Sequence, residues 1–90
     1  MMDPEREYPG VVIFAVEHLM DMHKDKATIG QGDIDKVVQV ARALNPDIVN
    51  EQRADWLRRD VTIIVNSYWE TLKDRKNRGR RDEIIRGALR

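Results

Sequence analysis

Apolar residues recur along this chain at three- and four-residue intervals, the period of an α-helix. In the stretch 9–24, "PGVVIFAVEHLMDMHK", Val12, Ala15, Val16, Leu19 and Met22 keep that spacing. Pro9 suits a first helical turn, where a missing N–H removes nothing. Val11, Ile13 and Phe14 make the first two turns apolar almost all round, which predicts a helix in the middle of a bundle. The competing reading is a buried strand, because Val, Ile and Phe also favour sheet.

A second segment, "DIDKVVQVARAL" (33–44), has Ile34, Val37, Val38, Ala41 and Leu44 along one side and Lys36, Gln39 and Arg42 away from it. Asp33 is the expected N-cap, with Asp35 complementing the helix dipole. Thr28 and Gln31 have capping-box spacing and would start the helix near residue 29, but Gly30 and Gly32 speak against it. Asn45-Pro46-Asp47 reads as a stop and restart, with Ile48 and Val49 anchoring a short turn.

No Gly or Pro interrupts residues 47–78, whereas strands are short and need turn residues between them. At about 100° per residue, Ala54, Leu57, Val61, Ile64, Val65, Tyr68 and Leu72 share one face, predicting a long helix over about 51–76. "VTIIV" (61–65) does not alternate as a strand would. After the Gly79 turn, Ile84, Ile85, Ala88 and Leu89 predict a short terminal helix, with Asp82 or an arginine near its start. The expected fold is therefore all-α: one helical domain over residues 1–90, with three main helices and a short C-terminal one in an up-and-down bundle. The first helix is central and the third longest. Residues 1–9 form a polar leader, and 73–81 a basic segment before the terminal helix.

Ninety residues hold one core and little room for a deep pocket. There is no cysteine, hence no disulfide and no thiolate metal site. The longest apolar run, 11–16, is far short of the roughly 20 residues that span a bilayer, and no basic region precedes it. The expectation is a cytoplasmic protein without membrane contact; the doubled methionine of "MMDPERE" reads as a natural start. The 16 basic and 16 acidic residues cancel, yet residues 1–50 carry nine acids against five bases, and 51–90 seven acids against eleven bases. Such a polarity marks either an acidic half packed on a basic half or a surface for an acidic partner.

Catalytic chemistry finds little support. His18 and His23 are five apart, so they point about 140° away from each other, unlike paired helical metal ligands. Glu17, Asp21 and Asp25 form a line of like charges that could receive arginines. Ser67 is the only serine and has no evident base, and no phosphate-binding or nucleophile motif occurs. The reading is no enzyme, no cofactor, no metal and no small-molecule substrate.

Two features suggest binding. The run "KDRKNRGRR" offers Lys73, Arg75, Lys76, Arg78, Arg80 and Arg81 against one acid, enough to attract nucleic acid. No aromatic residue interleaves it, and "VARALNPDIVNEQ" lacks the glycine turn of a helix-turn-helix. The stronger feature is a second apolar row on helix three: Trp56 and Ile63, seven apart, lie roughly opposite the core stripe, with Trp69 to one side. Three covers are conceivable: the chain's own terminal helix, a second copy, or another protein. Tryptophan framed by Arg53 and Arg59 is the composition of an interface hot spot. The sequence thus predicts a protein–protein interaction module, a small regulator or adaptor, with homodimerisation on the same surface. The alternative is nucleic-acid binding through 73–81.

Overall fold

A computed structural model describes the backbone of residues 4–89 and the side chains of residues 6–89. The order is α1 (Pro4–His23), α2 (Gln31–Leu44), α3 (Glu51–Lys73), a 3-10 helix (Arg75–Arg80) and α4 (Arg81–Ala88). Among the described residues there is no strand. The fold is an all-α bundle, and both stretches with strand-like composition, 11–16 and 61–65, are helical. Val11, Val12, Val16, Val61 and Val65 are buried there, and their packing outweighs an intrinsic preference worth tenths of a kcal/mol each.

Cross-helix contacts give the directions. Tyr8, early in α1, hydrogen-bonds Asp60 of α3, while Trp69 and Lys73, late in α3, both donate to the carbonyl of Lys26, just past α1. Hence α1 and α3 run the same way. His23 and Lys26 meet Asp33 at the start of α2, so α2 returns between them. The expected central position of α1 is shared: α1 packs on α2, α3 and α4, and α3 packs on α1, α2, α4 and the 3-10 helix. The longest helix is α3 with 23 residues. At 1.5 Å per residue it spans about 34 Å, nearly the whole 36 Å long dimension.

The joints explain where elements stop. Asn45 caps the end of α2, its Nδ2 donating to the Ala41 carbonyl at 2.9 Å. Its own carbonyl accepts from the N–H groups of Ile48 and Val49, which are buried as anchors of the turn. Asn50 then opens α3, its Oδ1 accepting from the Arg53 N–H at 2.8 Å. At the far end Asp74 closes α3 and starts the 3-10 helix, its Oδ1 accepting from the Lys76 N–H at 3.0 Å.

Several boundaries and positions differ from expectation. The first helix begins at Pro4, not near residue 9, so the expected polar leader is already helical from there; residues 1–3 lie outside the described residues. Pro9 removes one hydrogen bond close to the helix end, and Tyr8 docks this extra turn onto α3. At α2 the N-cap is Gly30, not Asp33, which sits in the first turn. The third helix ends at Lys73 rather than near 76.

Within the stripes, Met22 and Leu44 were expected in the core but are 61% and 65% exposed, and Tyr68 is exposed too. Met20 and Trp69 are buried instead. Trp69 is covered by the 24–30 loop, to which its Nε1 donates at 3.0 Å. Met20 borders the C-terminal segment, whereas among the described residues no element lies over Met22 on the outer side of α1 and α2. Among the described residues no helix is long and apolar enough to cross a membrane.

Candidate functional site

The helical period of α3 forces its side chains onto two faces. Leu57, Val61, Ile64 and Leu72 are sealed in the core, while Trp56 and Ile63 stand on the opposite face, 43% and 50% exposed. Ile85 of α4 is fully buried beside α1 and α3, yet the back row stays open, so the terminal helix is not its cover. The second tryptophan behaves differently: Trp69 belongs to the core, not to this row.

Sequence reading missed Tyr8. Its ring meets the Trp56 indole edge-on, with centroids 6.5 Å apart and planes at 87°, and its hydroxyl donates to Asp60 Oδ2 at 2.6 Å. The indole is thereby held by a neighbour while one side faces solvent. A tyrosine in the second turn of α1 carries no sequence signal of this contact; only the packing of α1 along α3 makes it.

Burial, reinforced by the hydrogen bond to Asp60 and its negative charge, pushes the Tyr8 hydroxyl well above its ordinary value near 10. A folded-state value above the unfolded one means the stabilisation is fully present below about pH 10 and is lost as pH rises beyond it. Tyr8→Phe should therefore weaken the fold at neutral pH but flatten its alkaline decline. Urea melts of both proteins at pH 8 and pH 11 check this; parallel losses in the two would rule out Tyr8 as the source.

The arginines around the row divide. Arg53 is half-buried and spends Nη1 on the Ile48 carbonyl at 3.3 Å, bracing the α2–α3 turn. Arg58 pairs with Asp35 at 2.9 Å and Asp55 at 3.4 Å. Arg59 is exposed and makes no ion pair among the described residues. Of the expected frame, Arg59 is thus the side chain at liberty to meet a partner.

The basic segment is likewise dispersed. Lys73 lies over the Trp69 ring at 5.8 Å, donates to the Lys26 carbonyl at 3.0 Å and sits 3.5 Å from Glu70. Arg81 donates to the Leu72 carbonyl at 2.9 Å, satisfying the end of α3, and Arg80 lies 3.7 Å from Glu83. Arg75, Lys76 and Arg78 are exposed without an ion pair among the described residues. A cleft of about 390 Å³ runs between Asp21 and Asp25 of the α1 end and Lys73, Arg75, Arg78 and Arg81. The acidic line thus faces the basic segment across solvent, and a polyanion in this cleft would meet two carboxylates as well as the cations.

A further surface appears between α1 and α2, an apolar groove of about 440 Å³ lined by Leu19, Met22, Val37, Val40 and Ala43. Its edges hold His18, stacked on Phe14 at 5.8 Å, and His23, 3.5 Å from Asp33. Asp33 accepts from Lys26, and that hydrogen bond holds its carboxyl below the usual carboxylate range. The two histidines have separate neighbours, and among the described residues no group of three His, Asp or Glu side chains is placed to hold a metal ion.

Compared with family models, curated proteins and solved structures, the chain matches none. The surface itself is the only guide to its use.

Proposed function

We propose that the protein is a non-enzymatic protein–protein interaction module, a small regulator or adaptor that binds sterically through the outer face of α3. The observation that carries this reading is the half-exposed Trp56–Ile63 row, directed away from a core that is complete without it. Aromatic anchors braced before binding lose little conformational freedom on association, and the Tyr8–Trp56 edge contact supplies that bracing. Arg59 beside the row would orient an acidic group of the partner, contributing more to specificity than to raw affinity. The cysteine-free chain suits a reducing cytoplasm.

A bait experiment tests the reading. Wild type, Trp56→Asp and Ile63→Asp are immobilised in a native cell extract, with Lys76→Ala as control. The expected result is a protein, the chain itself or another, held by wild type and the control and lost from both row variants. Equal retention by all four would end the proposal.

The second reading, nucleic-acid binding through residues 73–81, is favoured by one observation: Arg75, Lys76 and Arg78 present free cations along the 3-10 helix. Asp21 and Asp25 across the cleft weigh against it. Titration of labelled duplex and single strands at low and moderate salt separates the two, since phosphate contacts weaken steeply with salt.

A further inference from the structure

Around the α3 axis, Trp56 and Ile63 lie within about 20° of one line, while Arg59 and Asp60 flank that line on opposite sides, each about 50° away. This arrangement has a definite symmetry. When two copies of α3 meet along the row in parallel, a two-fold axis along the helices brings the left flank of each against the right flank of the other. Arg59 of one copy then lies beside Asp60 of its partner, twice, while Trp56 packs on Trp56 and Ile63 on Ile63. When they meet antiparallel, Arg59 faces Arg59 and Asp60 faces Asp60, and both contacts repel. The charges flanking an apolar helix seam set orientation and partner in this way.

Both charges are available for it. Arg59 makes no ion pair among the described residues, and Asp60 uses Oδ2 for Tyr8. The neighbouring arginine and aspartates do not compete, because Arg58, Asp35 and Asp55 are paired with one another. An isologous interface needs only one self-complementary patch, and this patch is self-complementary in charge as well as in apolar character.

We infer that the partner of the α3 outer face is a second copy of this chain, docked with the two α3 helices parallel and Arg59 of each against Asp60 of the other. The inference rests on the interaction-module reading and narrows it to one occupant.

Sedimentation equilibrium on the full chain tests it, with circular dichroism confirming that each variant is folded. Wild type is expected to show a reversible doubling of its 10.5 kDa mass with concentration. Arg59→Glu should weaken the dimer at least tenfold, and Arg59→Lys, which keeps the charge and leaves the Tyr8–Asp60 hydrogen bond intact, should retain it. Since the chain contains no cysteine, Ile63→Cys gives a clean test of direction. Parallel helices place the two thiols together, so mild oxidation should yield a covalent dimer, and antiparallel helices would leave them apart. Wild type that stays at the monomer mass up to about 1 mM, the weak end of measurable affinity, overturns the inference. So does a dimer indifferent to Arg59→Glu, or an Ile63→Cys dimer that does not cross-link. A monomer that still retains another protein in the extract, dependent on Trp56, would remove the second copy and leave the interaction module standing.

Discussion

Leu57→Ala is expected to lower the free energy of unfolding by about 2–5 kcal/mol, the range for truncating an enclosed leucine. Leu57 has no exposed surface and sits on α3 where that helix faces α1 and α2. The loss combines the transfer energy of the removed carbons with the cavity left among Val61, Ile64 and their neighbours, which rigid helix backbones refill only in part. A small domain has only about 5–15 kcal/mol in total, so this one substitution removes a large share. Ile63→Ala, one turn and a half further along the same helix, changes a half-exposed side chain and should stay within about 0.5 kcal/mol. Urea denaturation followed by circular dichroism measures both. Similar midpoints for the two variants would refute the division of α3 into a sealed and an open face.

The two tryptophans should differ almost as sharply. Trp69 is 4% exposed, donates to the Lys26 carbonyl and carries the 24–30 loop against α3. Trp69→Ala removes that packing and one of the carbonyl's two donors, an expected loss of about 3–5 kcal/mol. Trp56→Ala removes a ring that touches Tyr8 and solvent, an expected loss below about 1 kcal/mol. Fluorescence offers an independent check: iodide should quench the emission retained by Trp69→Phe, which comes from Trp56, far more than that retained by Trp56→Phe. Equal quenching would mean that both indoles share one environment and would undo the assignment of Trp56 to the binding face.

Much of this arrangement is legible in the periodicity. Ile34, Val37, Val38 and Ala41 on α2, and Ala54, Leu57, Val61, Ile64, Val65 and Leu72 on α3, are the buried residues the spacing indicates. The open position of Trp56 and Ile63 follows from the same rule, since a side chain about half a turn from the core stripe of a straight helix cannot reach that core. The rule fails where an element ends or a neighbour is missing. Met22 and Leu44 continue their stripes in angle, but Met22 opens onto the outer α1–α2 groove, and Leu44, the last residue of α2, opens onto a surface cleft beside α1. Trp69 lies off its stripe and is buried because the 24–30 loop folds over it. Tyr8 joins the candidate surface only because α1 extends back to Pro4 and lies alongside α3.

Cover of the back row by α4, one of the three conceivable covers, fails for a related reason. Ile84, Ile85, Ala88 and Leu89 form a stripe that must be buried somewhere, but a stripe does not name its partner. The 3-10 helix Arg75–Arg80 turns the chain so that α4 packs on α1 as well as α3, and Ile85 enters the common core instead. The same turn disperses the basic run, sending Lys73 and Arg81 to backbone carbonyls and leaving Arg75, Lys76 and Arg78 outside.

By itself, the order of apolar and polar residues determined the helical class, the four α-helices, and most of the residues of α2 and α3 that face inward, because these depend on spacing within one segment. Which helix flank covers which, where the tyrosine and the charges gather, and which apolar side chains stay in water were decided only by the tertiary structure. Those outcomes depend on the directions in which the three connections between the α-helices send the chain, and a connection a single residue longer or shorter would redirect the contacts beyond it.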